Sequence, residues 1–209
     1  MPAGFFLVLE GPEGSGKSTL ATGLAERLRA RRVDPVMVRE PGGTPLAEAL
    51  RRELLDEDRV WTPEMELLYI AASRADHVTR VIRPALEAGR LVISDRFDLS
   101  TRAYQGAGRG VAPDFLEAAN RAATGGLQPD LTLILDLPPE AGVARLQENG
   151  REQNRLDQES LEFHRRVAAR YLAEHGPGVR HLDASLPPAE LADLALAALR
   201  AARPDLIPG

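Results

Sequence analysis

The sequence contains no cysteine, which excludes a disulfide framework and a thiolate metal site. No apolar run approaches the ~18 residues that a membrane-spanning helix requires. The N-terminal residues also lack a cationic segment followed by an apolar core. We therefore expect a cytoplasmic protein with no membrane partner. The histidines show no metal-ligand spacing and occur at His77, His164, His175 and His181.

Lysine is almost absent as well. Of the 26 Lys and Arg residues, only Lys17 is a lysine. The formal net charge of −5 argues against nucleic acid or an anionic membrane as a partner. One ammonium group in a chain that otherwise uses arginine indicates a position that requires a compact cation rather than a planar guanidinium.

Lys17 lies in the stretch LEGPEGSGKSTL, where residues 11–18 fit the pattern G-x-x-x-x-G-K-[ST] of a phosphate-binding loop. The apolar run Phe5–Leu9 precedes the loop as a buried parallel strand would, and leucines recur at helical spacing over Leu20–Leu28. This order points backbone N–H groups and a helix N-terminus at an anion. The loop residues expected to bind the nucleotide are Gly11, Glu13, Gly14, Ser15, Gly16, Lys17, Ser18 and Thr19.

Apolar runs typical of strands alternate with helical patterns along the chain. The predicted strands are Phe5–Leu9, Val36–Arg39, Leu91–Ser94, Leu131–Asp136 and Val179–Leu182. The predicted helices are Ser18–Arg31, Pro45–Leu55, Pro63–Ala88, Pro113–Ala123, Pro139–Glu148, Gln158–Glu174 and Pro188–Ala202. This alternation predicts an α/β fold, a three-layer α/β/α arrangement with a five-stranded parallel sheet and helices on both faces. Because no linker or repeat divides the chain, residues 1–209 are expected to form a single domain.

Three polar loops follow the first three predicted strands. They are Gly11–Ser18, Glu40–Thr44 and Asp95–Phe97. Ligands of open parallel sheets bind beyond the carboxyl ends of the strands. We therefore expect all three loops to belong to one site.

Three classes of protein use such a loop. A GTPase switch is excluded, because its N-K-x-D guanine-binding motif needs a second lysine. An ATP-driven motor or DNA-partitioning module stays open, although no basic surface for nucleic acid is evident. The third class is a small kinase that passes the terminal phosphoryl group to a bound acceptor.

A phosphorylated acceptor needs its own cations, because two anions must approach each other. Arg51, Arg74 and Arg96 are the candidates for this role. Asp95, at the end of an apolar strand, and the Ser18 hydroxyl are the candidate ligands of Mg²⁺. An anionic phosphate acceptor requires positioning and charge neutralisation rather than a general base.

Longer segments are more specific than the loop: REPGGTPLAEALR, AASRADH, SDRFDLSTRAYQGAGRG and PDLTLILDLPPEAGVAR. Together with the loop, they resemble the thymidylate kinase family over nearly the whole chain. The resemblance implies a cytoplasmic nucleoside monophosphate kinase that uses ATP and Mg²⁺ to phosphorylate dTMP to dTDP for dTTP biosynthesis. It also implies a homodimer formed by face-to-face helices. The alternatives are another nucleoside monophosphate kinase and a P-loop ATPase module.

The resemblance also implies roles for individual residues. Glu13 matches a carboxylate that contacts the sugar 3′-hydroxyl group, whereas Arg74 and Arg96 match arginines at the acceptor phosphate. Arg145 matches an arginine that stacks on adenine, near the turn Asp183–Ser185. The residues that match the lining of the thymidine pocket are Ser100, Thr101, Tyr104 and Gln105. Tyr104 is the expected barrier to a ribose 2′-hydroxyl group.

One position departs from the family pattern, which has an aromatic residue four positions before the helix arginine. Here that residue is Ile70, and Tyr69 is one step earlier. Positions five apart do not share a helix face. Either Ile70 packs against the base or a local adjustment of the helix brings Tyr69 to it.

The phosphate-binding loop has no cation at its variable positions, and the bacterial form of the family uses arginines on a mobile lid instead. The polar segment at about 148–157 interrupts the helical pattern as a lid would. The resemblance therefore assigns Arg151 and Arg155 to the transferred phosphoryl group.

Overall fold

Five parallel strands form the central sheet of the computed structural model, which describes residues 4–56, 58–148 and 154–207. The strands are β1 (Phe5–Glu10), β2 (Val36–Arg39), β3 (Leu91–Asp95), β4 (Leu131–Asp136) and β5 (Val179–Asp183). Their spatial order is β2-β3-β1-β4-β5, and all neighbouring strands pair in parallel. The predicted five-stranded parallel sheet is confirmed.

Helices connect the strands on both faces of the sheet. They are α1 (Lys17–Ala30), α2 (Pro45–Leu55), α3 (Pro63–His77), α4 (Arg83–Glu87), α5 (Asp98–Thr101), α6 (Pro113–Thr124), α7 (Pro139–Glu148), α8 (Leu161–Leu172) and α9 (Pro188–Ala202). Val78–Ile82 and Arg102–Gly108 are π-helical. The pattern over Pro63–Ala88, predicted as one helix, is thus divided. Pro84 has no N–H group to donate to the preceding turn, which disfavours a regular α-helix there.

Hydroxyl side chains of Thr44, Thr62 and Ser160 fix where α2, α3 and α8 begin. Thr44 accepts a hydrogen bond from the backbone N–H of Ala47 (3.0 Å) before α2. Ser160 accepts one from the N–H of Phe163 (3.2 Å) before α8. Because Ser160 is the N-cap, α8 begins at Leu161 and not at Gln158, where the sequence pattern placed it.

The core lies on both sides of the sheet. Leu7 of β1 packs in one cluster with Leu24 of α1 and Leu199 of α9, whereas Val8 packs in another cluster with Ile82. All six residues of β1 are buried, as expected for a central parallel strand. Alternate side chains therefore face two helical layers, which confirms the three-layer arrangement.

β1 lies between β3 and β4, and the chain moves from it to both sides of the sheet. Such a switch point opens a crevice beyond the carboxyl ends of the strands. The loops after β1, β2 and β3 all open onto this edge. Within the described ranges, no helix combines the length and the apolar character needed to span a bilayer.

Candidate active site

The phosphate-binding loop joins β1 to α1 through glycines in left-handed conformations. Gly16, the N-cap of α1, has φ 87°, and Gly14 has φ 73°. A Cβ atom on Gly14 would lie 2.3 Å from the carbonyl oxygen of Gly142 on α7. Glycine is therefore required at Gly14 both by the backbone conformation and by the close approach of α7.

Lys17 bends back over this loop. Its Nζ donates hydrogen bonds to the carbonyl oxygens of Gly11 (3.0 Å) and Pro12 (2.7 Å) and to Ser15 Oγ (3.2 Å). Burial, followed by the positive charge of Arg96, lowers the pKa of Lys17 to about 8. The ammonium group thus contacts two carbonyl oxygens and one hydroxyl group at the point where the loop would hold phosphate.

Ser18 and Asp95, the predicted magnesium ligands, are brought together from α1 and β3. Ser18 Oγ donates a hydrogen bond to Asp95 Oδ2 (2.6 Å). In the parts of the chain that the structure describes, no group of three or more His, Asp or Glu side chains is arranged to hold a metal ion. A hydroxyl and one carboxylate nevertheless fit Mg²⁺, which keeps several water ligands and binds substrate phosphates.

Arg96 follows β3 and has φ 77°, an uncommon conformation for a residue with a side chain. Its guanidinium group pairs with the carboxylate of Glu13 and donates to the hydroxyl groups of Ser100 (3.1 Å) and Tyr104 (3.2 Å). Although burial opposes it, the Glu13 carboxylate raises the pKa of Arg96 above its usual value. Arg96 is therefore a fixed cation directly beside the phosphate-binding loop.

Arg74, on α3, is only 2% exposed and is held by four acceptors. Its Nε donates to Glu40 Oε2 (2.7 Å), and its Nη2 donates to the carbonyl oxygen of Phe97 (2.9 Å). Its Nη1 donates to Thr101 Oγ1 (2.9 Å) and Asn120 Oδ1 (2.8 Å). Four of its five N–H groups thus have protein partners, so the guanidinium group of Arg74 is held in a fixed position in the cavity wall.

A second pair of guanidinium groups comes from β2 and α2. Arg51 Nη1 donates to the carbonyl oxygen of Pro41 (2.8 Å), and Arg39 Nη2 donates to Glu48 Oε1 (2.8 Å). Burial, followed by the charge of Arg39, lowers the pKa of Arg51. These cations lie close enough to repel each other, which favours an anion between them and Arg96.

Aromatic and apolar side chains complete the site. Ile70 of α3 lines the cavity, whereas the ring of Tyr69 packs edge-on against Trp61 with the centroids 4.4 Å apart. Tyr104 is buried, and burial raises the pKa of its hydroxyl group, so this group stays protonated. The surface presented by α3 at this position is therefore aliphatic.

One cavity of about 310 Å³ lies among these elements. Among the predicted site residues, those that line the cavity are Glu13, Gly14, Gly16, Lys17, Ser18, Thr19, Arg51, Ile70, Arg74, Asp95, Arg96, Ser100, Thr101, Tyr104 and Gln105. The loops that follow β1, β2 and β3 thus converge on one site.

Residues 9–194 match the sequence model of a family described as Thymidylate kinase. The chain belongs to the thymidylate kinase family. A thymidylate kinase of Desulfovibrio desulfuricans is 50% identical over 196 residues, which cover 89% of this chain and 90% of the relative. A thymidylate kinase of Thermomicrobium roseum is 50% identical over 192 residues, which cover 90% and 91% of the two chains.

Some residues that the sequence analysis assigned to the site do not line the cavity. They are Gly11, Ser15, Tyr69, Arg145 and Arg155. Arg145 Nη1 donates to the carbonyl oxygen of Ala184 (3.0 Å) and approaches that of Gly14 (3.5 Å). It therefore connects the loop with the turn Asp183–Ser185.

The segment at about 148–157 was predicted to be a lid, and its residue Arg151 lies outside the described residues. Arg155 Nη2 donates to Glu66 Oε2 (2.6 Å) and more weakly to the carbonyl oxygen of Leu54 (3.3 Å). Its neighbours Asn154 and Leu156 line the cavity. Asn154 and Leu156 thus reach the cavity edge, while Arg155 between them is paired with Glu66 of α3.

The sequence analysis predicted no individual role for several residues of the cavity wall, although four of them lie in the predicted loop after β2 or in the predicted lid segment. The residues without a predicted role are Arg39, Glu40, Pro41, Leu54, Leu55, Leu146, Asn154 and Leu156. The motif R-E-P-G-G-T, which carries the family resemblance, contains the first three. The leucines carry no such signal, because a leucine in a helix is equally suited to the core.

Proposed function

We propose that this member of the thymidylate kinase family transfers the terminal phosphoryl group of ATP to dTMP in the cavity. The products are dTDP and ADP, in a step of nucleotide biosynthesis that leads to dTTP. The observation that supports this proposal is the convergence of Lys17, Ser18, Asp95 and Arg96 on one edge of the sheet. Two nucleotides brought end to end there would have their phosphates between cations from both sides.

ATP would bind with its phosphates on the loop, where the backbone N–H groups and the N-terminus of α1 supply partial positive charge. Lys17 would turn from the loop carbonyl oxygens to the phosphate oxygens. Ser18 and Asp95 would hold Mg²⁺, which neutralises charge on the phosphates when bound. The turn at Ala184 and Arg145 would lie beside adenine.

dTMP would bind on the opposite side of the cavity. Its phosphate would face Arg96 and Arg51, and its base would pack between Ile70 and the segment that carries Ser100, Thr101 and Gln105. Glu13 would accept a hydrogen bond from the sugar 3′-hydroxyl group. The ring of Tyr104 would leave no polar partner for a 2′-hydroxyl group. Arg74, which is held by four protein acceptors, would offer its remaining N–H group to the phosphate of dTMP.

Charge neutralisation at the transferred group would come from Arg151 and Arg155. Arg155 would exchange its Glu66 partner for phosphate oxygens when the segment at about 148–157 closes over the site as a lid. Such a cation is worth on the order of 10³-fold in rate.

The protein would act in the cytoplasm as a homodimer. α3 and α6 present Met65, Leu68 and Phe115, which are 46%, 51% and 39% exposed. Large apolar side chains grouped on neighbouring helices favour burial against a second copy of the same surface.

A panel of acceptors tests the function. With ATP and Mg²⁺, ADP formation should depend strictly on an added acceptor, with kcat/KM highest for dTMP. Discrimination against dUMP should be modest, because one buried methyl group is worth about 1–3 kcal/mol. Preference for UMP or dGMP would indicate another nucleoside monophosphate kinase, and strong ATP hydrolysis without acceptor would indicate an ATPase.

A further inference from the structure

Glu10 is a fully buried residue at the end of β1, and no role proposed above uses it. Its Oε1 accepts hydrogen bonds from the backbone N–H groups of Phe97 (2.9 Å) and Ser100 (3.1 Å). Its Oε2 accepts the hydroxyl groups of Ser100 (2.6 Å) and Tyr171 (3.1 Å). Four hydrogen-bond donors therefore surround one carboxyl group, and they come from the loop after β3, from α5 and from α8. This arrangement favours the anionic form of the carboxyl group.

The same two hydroxyl groups also contact Arg96. Its Nη1 donates to Ser100 Oγ (3.1 Å) and to Tyr171 Oη (3.2 Å), and these two oxygens lie 2.8 Å apart. A hydroxyl group has one hydrogen and two lone pairs. When it donates to the Glu10 carboxylate, it presents a lone pair to the guanidinium group.

We propose that Glu10 is a positioning residue that holds Arg96 in the cavity by orienting the hydroxyl groups of Ser100 and Tyr171. The inference rests on the proposed role of Arg96 at the acceptor phosphate. Glu10 does not line the cavity, so it acts only through its neighbours.

The charge of Glu10 determines the direction of these hydrogen bonds. Burial raises the pKa of Glu10 to about 7, although the hydrogen bond from Ser100 and the charge of Arg96 favour the carboxylate. The titratable or charged groups that face it from the surrounding elements are Lys17, Arg96, Asp98, Tyr104 and Tyr171. A protonated Glu10 donates to a hydroxyl oxygen, whose own hydrogen then turns toward the N–H groups of Arg96. Arg96 should therefore be held better above pH 7 than below it.

The variant Glu10→Gln tests this inference, because it keeps the size of the side chain and removes the charge. We expect kcat/KM for dTMP, measured with saturating ATP and Mg²⁺, to fall about tenfold at pH 8. The ratio of the wild-type value to the variant value should approach one as the pH falls to 6. The phosphate of dTMP also titrates near pH 6, but this ionisation is common to both proteins and cancels in the ratio.

Two further variants keep the test independent of folding defects. Tyr171→Phe removes one bridging hydroxyl group and keeps the buried ring, so it should lower kcat/KM at pH 8 by a smaller factor. Asp130→Asn is the matched control, because Asp130 accepts the N–H of Phe6 (2.7 Å) at the other end of β1. It should keep the wild-type pH profile. Thermal unfolding of each variant establishes that it is folded.

Binding of dTMP without ATP, measured by calorimetry, gives a readout besides activity. The variant Arg96→Ala distinguishes a failure of the proposed role of Arg96 from a failure of the role of Glu10. Weakened dTMP binding in Arg96→Ala and in Glu10→Gln at pH 8 supports the inference. Weakened binding in Arg96→Ala with wild-type behaviour of both Glu10→Gln and Tyr171→Phe overturns the role of Glu10 alone. Unchanged dTMP binding in Arg96→Ala overturns the role of Arg96 and, with it, the inference.

Discussion

At the scale of single residues, the position of Lys17 predicts how ATP binding depends on pH. Burial lowers the pKa of its ammonium group to about 8, whereas bound phosphates would raise it again. As the pH rises through 8, a growing fraction of the protein carries a neutral amine. We therefore expect the dissociation constant for ATP to increase between pH 7 and pH 9, and ATP binding near pH 8 to take up protons.

Isothermal titration calorimetry in buffers with different heats of ionisation measures both effects. Lys17→Arg is the matched control, since its guanidinium group does not titrate in this range. Its ATP affinity should be lower than that of the wild type at pH 7 and constant with pH. A pH-independent ATP affinity of the wild-type protein would contradict the prediction.

Arg155 tests the proposed lid at the same scale. Arg155→Ala should lower kcat by on the order of 10³-fold and change the affinity for ATP much less, because the charge acts on the transferred group. Steady-state kinetics and ATP binding measure the two quantities. Arg109→Ala is the control, because Arg109 also pairs with Glu66 (3.3 Å) but has no proposed phosphate contact. Equal losses in both variants would mean that Arg155 acts only by anchoring its segment to Glu66.

Single residues were predictable from the sequence where they belong to a motif. Ser18 and Asp95 were predicted from separate motifs, and Ser18 Oγ lies 2.6 Å from Asp95 Oδ2. Glu10 and Glu66 were not found, because a buried carboxyl group surrounded by donors from distant segments leaves no local pattern. The choice between Ile70 and Tyr69 was also left open, and the structure places Ile70 at the cavity.

At the scale of elements, the phosphate-binding loop depends on its contact with α7. A Cβ atom on Gly142 would lie 2.4 Å from the carbonyl oxygen of Glu13, a distance that forces the loop or the helix to move. Gly142→Ala should therefore lower the free energy of unfolding by about 1–3 kcal/mol and weaken ATP binding. Chemical denaturation and calorimetry measure these changes.

Helix propensity alone predicts the opposite sign, because alanine in a helix is favoured over glycine by about 1 kcal/mol. Gly23→Ala on α1 is the matched control, because its Cβ atom would make an ordinary contact with Ala192 (3.4 Å). It should be neutral or stabilising. A stabilising effect of Gly142→Ala would contradict the prediction, because it would mean that the loop and the helix have room for a Cβ atom at this position.

Element types followed from periodicity, and all five strands were predicted within one residue of their observed ends. Periodicity failed where tertiary contacts decide the backbone. No helix was predicted over Asp98–Thr101 or Arg102–Gly108, although these helical segments form the wall that carries Ser100 and Tyr104. Their residues mix glycine and polar side chains, so no apolar stripe marks them.

At the scale of the whole molecule, the exposed apolar group on α3 and α6 predicts self-association. Leu68→Glu should shift the proposed dimer to monomers at micromolar concentration, because a charge would enter the buried surface. Sedimentation velocity measures the distribution. Leu172→Glu is the control, since Leu172 is 53% exposed but lies on α8 and not on α3 or α6. A monomeric wild type, or dissociation of both variants to the same extent, would contradict the prediction.

The global arrangement was the most predictable level. Alternating strands and helices in one chain permit few topologies, and the rule for ligands of parallel sheets predicted three loops at one edge of the sheet. The shape of the cavity was not predictable, because its leucines and its second arginine pair become neighbours only when β2, α2 and α7 have packed.

Apart from the α-amino group, Lys17 carries the sole primary amine of the chain. Its lowered pKa leaves a substantial nucleophilic fraction near pH 8. Acylating reagents therefore have one internal target, and the mass added there, with and without ATP, reports occupancy of the nucleotide site without any engineered label.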